Sequence, residues 1–220
     1  MRSCPDRIEA LLAASPDFAR LLLHFNYCPA EYLHVSHRNQ LNLGQLADCV
    51  WQTRRSLPPI SAYILDQLCL QEKICLDPSY SEWPLVLLSP ARLKRLQQYV
   101  AAVLYAETIR LCLLPEDIIR WRTILGYDAY KFALTGTKLL PQLRLRSYTD
   151  IDDVETVSNS WISAAMSTAP EAISIRAKLK IPVLTNIKGI ELQKAHRLMF
   201  SLLSILEPKW CSFFLTTLTR

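Results

Sequence analysis

The chain has 220 residues, 50% of them hydrophobic and 20% charged, with a formal net charge of +5. That balance excludes intrinsic disorder and lets one core, or two lobes sharing one, bury roughly 70% of the unfolded surface. The mild positive charge suits an acidic protein partner, a membrane surface or nucleic acid equally well and selects none of them.

In chain order, residues 5–26 read as two helices split at Ser15-Pro16, with Ile8, Leu11, Leu12, Phe18, Leu21, Leu22 and Phe25 facing inward. A third helix starts at Pro29 and another covers 43–52. Pro58-Pro59 opens a helix to about residue 70 that carries Ile60, Tyr63, Ile64 and Leu68. Residues 71–89 hold Asp77-Pro78 and Trp83-Pro84 without a 3.6-residue period, which predicts an ordered loop with an extended run at 85–88. The strongest helix runs from 90 to about 113, where Leu93, Leu96, Val100, Val103 and Leu104 form a stripe and Arg92, Lys94, Arg95, Gln97 and Gln98 point away. Pro115 opens the next helix, and another runs from Tyr127 to about 134. A loop at 136–149 carries Arg144 and Arg146, and helices then cover 151–167, 170–179, 187–206 and 208–218.

The punctuation explains this pattern. There are thirteen prolines and four glycines, and Pro16, Pro29, Pro90, Pro115, Pro170 and Pro208 precede apolar helical stretches, several with an acid close behind. Proline in the first turn loses an amide that would be unpaired anyway, and a nearby acid complements the positive end of the helix dipole. The glycines are too scattered to build a phosphate-cradling loop. The fold class expected is all-α: a compact irregular bundle of roughly ten short and medium helices. It forms one domain with two lobes, about 1–75 and 90–220, joined by the ordered loop 71–89.

Seven cysteines, Cys4, Cys28, Cys49, Cys69, Cys75, Cys112 and Cys211, lack any C-x-x-C spacing and mostly lie in apolar runs. They read as core thiols of a reducing compartment. Asp6 and Glu9 interrupt any apolar segment that a signal peptide would need, so a cytoplasmic location is expected. Residues 198–218 are long enough to cross a bilayer, but Glu207-Pro208-Lys209 at their centre point instead to two buried helices meeting at Pro208.

Polar clusters have structural readings. His24, Cys28, His34, His37 and Cys49 match no finger or ribbon spacing and read as packed thiols and hydrogen-bonded imidazoles rather than zinc ligands. Asp150, Asp152, Asp153 and Glu155 read as a helix start, with Thr149 or Asp150 as cap, rather than a magnesium site. Glu107 and Arg110, three apart on the strongest helix, read as a structural ion pair. The basic groups Arg54-Arg55, Arg92/Lys94/Arg95, Arg120/Arg122, Arg144/Arg146 and Arg176/Lys178/Lys180 read first as solvated faces, then as docking sites for an acidic protein. No catalytic, cofactor-binding or metal site is expected. A helical nucleic-acid-binding or regulatory protein is the alternative, with a helical enzyme third.

Four ordered blocks carry a resemblance. They are Tyr27-Cys28-Pro29-Ala30-Glu31-Tyr32-Leu33-His34, then Ala106-Glu107-Thr108-Ile109-Arg110-Leu111-Cys112-Leu113-Leu114. Next come Trp161 with Ala164-Ala165-Met166, Pro170, Ala172, Arg176 and Ile181-Pro182, then Pro208-Lys209-Trp210-Cys211-Ser212 with Phe214. In order and spacing they resemble the SctK/YscK-type family of bacterial type III secretion systems. The resemblance implies a non-enzymatic cytoplasmic adaptor of the sorting platform, peripheral to the inner membrane. It would link the forkhead-associated domain of the ring protein (SctD type) to the pod protein (SctQ type), and indirectly the stator and ATPase. Contact with the membrane would come only through the partner, and nucleic acid is not implied. On this reading Tyr27, Tyr32 and His34 are interface candidates beside a helix start, together with Arg54, Arg55, Arg92, Lys94 and Arg95.

Overall fold

The computed structural model describes residues 15–41, 47–136, 148–184 and 189–218, with isolated positions 9, 12 and 13 ahead of them. Every regular element among the described residues is helical. Fourteen α-helices are present there, nine of them eight residues or longer. Proline occupies the first turn of the helices Pro16–Tyr27, Pro29–Tyr32, Leu57–Gln67, Trp83–Val86, Pro90–Leu104 and Pro115–Leu125. Only Pro170 steps back, to cap Glu171–Lys178. The expected helices ahead of Ser15 and the loop carrying Arg144 and Arg146 lie largely outside the described residues.

The chain forms two compact units, and one of them is assembled from three stretches: Met1–Leu87, Ala169–Val183 and Ser212–Arg220. Its core centres on Trp83. The rings of Phe18 and Phe25 meet that indole edge-on at 6.3 and 5.9 Å, and Phe214 meets Phe18 at 5.5 Å. Edge-to-face geometry sets the positive ring edge against the negative face of its neighbour. Residues 83–86 correct the sequence reading. They form one helical turn, Trp83–Val86, rather than an extended run, because Pro84 fits its first turn and the Trp83 indole donates to the Asp77 carbonyl at 2.8 Å.

The second unit comprises Leu88–Thr168 and Leu184–Cys211. Its centre is the helix Pro90–Leu104, packed against Val154–Met166, Leu192–Leu206 and Tyr127–Thr135. Leu93, Leu96, Val100, Trp161, Ile162, Ala165, Leu198, Met199 and Leu202 are buried there. Of the stripe expected along Pro90–Leu104, Leu93, Leu96, Val100 and Leu104 lie on its buried face, while Val103 is only half-buried and Gln97, expected to point away, is buried. The helix stops about nine residues early, however. Tyr105 leaves helical geometry at φ −105°, ψ 10°, and a separate helix, Ala106–Leu111, follows. No proline or glycine marks this break. Tyr105 is fully buried, with its ring 5.3 Å from Trp121 and 5.8 Å from Tyr148, so packing of a large ring sets the turn.

Residues 198–218 are divided as expected, between Leu192–Leu206 and Pro208–Leu218, and no helix among the described residues is long and apolar enough to cross a membrane. The acidic run also differs in detail from its expectation. Asp153 occupies the N-cap of Val154–Met166 without a side-chain bond, while Asp150 accepts from the Asp152 amide at 2.9 Å in the preceding turn.

Candidate protein interface

Of the three candidates at the first block, Tyr27 is exposed at the end of its helix. Tyr32 is not available to a partner. It is buried, its hydroxyl donates to the Phe25 carbonyl at 2.7 Å, and its ring stacks on Phe25 at 5.8 Å. Burial pushes the Tyr32 phenol well above its usual range, so it stays a donor. His34 caps the helix Val35–Arg38: its Nδ1 accepts from the Ser36 amide at 3.2 Å, and its own amide donates to the Leu179 carbonyl at 2.8 Å. His37 bonds the Ile181 carbonyl at 2.9 Å. Both histidines are thus hydrogen-bonded imidazoles, as their sequence context suggests, but the cysteines are not core thiols: among the described residues Cys49 and Cys69 are exposed and the others half-buried.

The basic groups divide sharply. Arg54 and Arg55 are exposed in a short 3-10 turn, Arg54–Ser56. Arg92 and Arg95 converge on Glu207 at 3.6 and 3.5 Å, and Arg92 also lies over the Trp210 ring at 4.8 Å. Lys94 meets Glu155 at 3.4 Å, and Arg120 pairs with Asp152. The face expected to offer three cations to a partner is thus largely neutralised from within its own unit.

The Arg176/Lys178/Lys180 group overturns its reading as a solvated face. Arg176 is 1% exposed and donates to the carbonyls of Leu70 (2.8 Å), Lys73 (2.9 Å) and Ala172 (3.1 Å). The Lys180 stem remains partly accessible, but its ammonium is enclosed, donating to the Val86 carbonyl at 2.6 Å and lying 5.2 and 5.0 Å from the Phe25 and Tyr32 ring centres. The carbonyl and ring faces favour the cation. Burial opposes them more strongly and lowers the Lys180 ammonium to about 7. Two members of this basic triplet, Arg176 and Lys180, are anchors joining Glu171–Lys178 and its flank to the rest of the unit.

The break at Tyr105 also moves Glu107. It is exposed, off the buried stripe, and Arg110 reaches the Ala133 carbonyl at 3.0 Å. The same break delivers an apolar surface at the end of the stretch expected to continue the helix. Leu111 is 78% and Leu113 88% exposed, and Leu114 and Ile119 are exposed beside them. Apolar spacing alone cannot find this patch. The one sequence signal is that Leu111-Cys112-Leu113-Leu114 immediately precedes a proline-opened helix, in a connection too short to fold back over itself.

A pocket of about 240 Å³ in the second unit is lined by Lys94, Gln97, Gln98, Leu125, Val154 and Glu155 among others. That is below the roughly 300–1,000 Å³ of small-molecule sites. Glu155, moreover, already meets Lys94 and Gln97 there, each at 3.4 Å. The exposed leucines are the stronger candidate, because three large apolar side chains within four residues of chain, Leu111, Leu113 and Leu114, face solvent.

A family model described as YOP proteins translocation protein K (YscK) matches residues 22–215. Among solved structures, the chain is similar to the cytoplasmic domain of the T3SS sorting platform protein PscK from P. aeruginosa. The identity is 18% and the TM-score 0.54, over 83% of this chain and 92% of that one, a likeness of fold. No curated protein matches the chain.

Proposed function

The chain belongs to the YscK family, and on that footing we propose that it is a non-enzymatic, cytoplasmic adaptor of a type III secretion sorting platform. In this reading it joins the forkhead-associated domain of the inner-membrane ring protein to the pod protein, and each compact unit supplies one attachment surface. The observation that carries the proposal is the exposed apolar cluster of Leu111, Leu113, Leu114 and Ile119. Covering such side chains is favourable at about 25 cal/mol per Å² of apolar surface, which gives a partner a reason to bind. The other unit offers Tyr27, Arg54 and Arg55, an exposed aromatic and two exposed cations of the kind that steer and orient an acidic partner.

Two further observations support an adaptor. The groups displaced furthest from their usual ionisation, Tyr32, Tyr105 and Lys180, are committed to packing within their own units. Arg92, Lys94, Arg95 and Arg120 face acids of their own unit, which weakens the nucleic-acid alternative.

Co-expression of the full chain with the ring protein's cytoplasmic domain and the pod protein tests this reading. Both are expected to co-purify with the wild-type chain. A Leu113→Asp/Leu114→Asp variant that retains its helical circular dichroism should lose one partner and keep the other. Retention of both partners by that variant would remove the leucine cluster from the interface, and failure of the wild-type chain to capture either would sink the adaptor reading.

A further inference from the structure

The turn between the first two described helices gathers three metal-ligating side chains. His24 lies in the last turn of Pro16–Tyr27, Cys28 is the single residue before Pro29–Tyr32, and Glu31 is in that second helix. Their spacing of four and then three is the one that places side chains on a common helical face. The helix is interrupted at Cys28 (φ −119°, ψ 48°), yet the Cys28 amide still donates to the His24 carbonyl at 2.9 Å. The Glu31 amide donates in turn to the Cys28 carbonyl at 3.1 Å, so the face survives the interruption. One nitrogen of His24, the Cys28 sulfur and one Glu31 carboxylate oxygen all lie within 4.8 Å of one another, and His24 Nε2 and Glu31 Oε2 are 2.9 Å apart.

We propose that His24, Cys28 and Glu31 form a binding site for one zinc ion or a like borderline divalent cation, with water in the fourth position. Imidazole, thiolate and carboxylate together form a donor set that zinc accepts, and three protein ligands plus an open position is a common arrangement for it. Metal–ligand bonds of about 2.0–2.3 Å imply tetrahedral edges of about 3.5 Å. The three groups therefore need only small side-chain rotations to close on a metal. The backbone that carries them is pinned on both sides. The Tyr32 hydroxyl holds the Phe25 carbonyl at 2.7 Å, and the Ala30 amide donates to Ser61 Oγ at 3.2 Å.

His24 and Glu31 are each 47% exposed, which leaves an approach for the ion and its water, while Cys28 is half-buried. An exposed histidine–glutamate pair alone adds little to stability and calls for no thiol beside it. Burial, and after it the Glu31 carboxylate, push the Cys28 thiol up, so without metal it stays protonated. Binding exchanges the thiol proton for the metal: the S–H bond breaks, the thiolate takes the cation, and the proton leaves to solvent. The His24 Nε2 proton that bridges to Glu31 passes through solvent to Nδ1, and the hydrogen bond is replaced by one metal bond from Nε2 and one from the carboxylate. The site would then tie the end of the first helix to the second.

The test is an anaerobic titration of the reduced full chain with Co²⁺. One equivalent should bring up a thiolate-to-cobalt charge-transfer band and intense visible bands of tetrahedral cobalt, and Zn²⁺ should abolish both. Cys28→Ser should lose the charge-transfer band, and His24→Gln and Glu31→Gln should each weaken binding about 10- to 100-fold. Because a variant can fail through misfolding, alkylation of the unmutated chain supplies a second readout. Excess Zn²⁺ should protect Cys28 from alkylation while leaving the exposed Cys69 reactive. A charge-transfer band that survives in Cys28→Ser, its absence from the wild-type chain, or equal alkylation of Cys28 with and without Zn²⁺ would each overturn the proposal.

Discussion

Replacing Arg176 by methionine should loosen the first unit from within. The guanidinium is buried and donates to three carbonyls, two of them, Leu70 and Lys73, about a hundred positions earlier in the chain. A hydrogen bond to a charged group contributes about 1.5–3 kcal/mol, so the three together exceed any single apolar contact nearby. Two effects reduce the loss. Methionine escapes the cost of burying a cation, and the Leu70 carbonyl still accepts from the Lys73 amide at 3.1 Å. The Lys73 carbonyl loses its guanidinium donor. The net cost is about 2–4 kcal/mol, or roughly 30- to 700-fold in a local opening equilibrium. Hydrogen exchange read by mass spectrometry over 65–76 measures it directly, and urea unfolding provides the global comparison. Arg176→Lys should recover only part of the loss, because one ammonium cannot reproduce the planar fork. Exchange in that segment accelerated less than about five-fold by Arg176→Met, equivalent to about 1 kcal/mol, would refute the assignment of Arg176 as the anchor.

Lys180 gives the first unit a pH dependence of known sign. Its folded ionisation near 7 lies below the unfolded value near 10.4, so between those limits the unfolded chain holds the extra proton and stability rises with pH. The stability difference between wild type and Lys180→Met should therefore move in favour of wild type by up to about 1.4 kcal/mol per unit from pH 7 to 8, and a flat difference would show the ammonium to be unshifted. Gly126 has φ +79°, ψ 160°, and an added Cβ would meet only Gln98 Nε2 at 3.8 Å. Gly126→Ala should thus cost about 1–3 kcal/mol from backbone strain alone, measured as a lower urea midpoint with an unchanged slope. Glu207→Gln should cost less than about 1 kcal/mol while strengthening binding to anionic resin, because it frees Arg92 and Arg95 from a surface pair.

Much of the site was hidden for a reason that particular residues make plain. Arg176 sits in a basic triplet that reads as a solvated face, and Tyr32 is an interface candidate only through the family resemblance. Each is buried by partners far away in sequence or by a neighbouring ring. Leu111 and Leu113, in the stretch expected to end the long helix, are exposed, because that helix breaks at Tyr105. Glu31 carries no spacing signal of a zinc finger or ribbon, yet seven residues after His24 is the same helical face, which brings it beside His24 and Cys28.

Helix starts were readable because their cause is local: a proline that fits the first turn and an acid within reach of the amides act over a few residues. That chemistry settled the all-helical class, the division at Pro208 and the buried stripe of Pro90–Leu104 before any packing was known. Only the tertiary structure decided which cations became anchors, which leucines faced water, and that residues 169–183 fold with the first stretch of the chain. Those outcomes depend on which surfaces meet, and a burial energy shared among distant residues leaves no mark on the local sequence at any one of them.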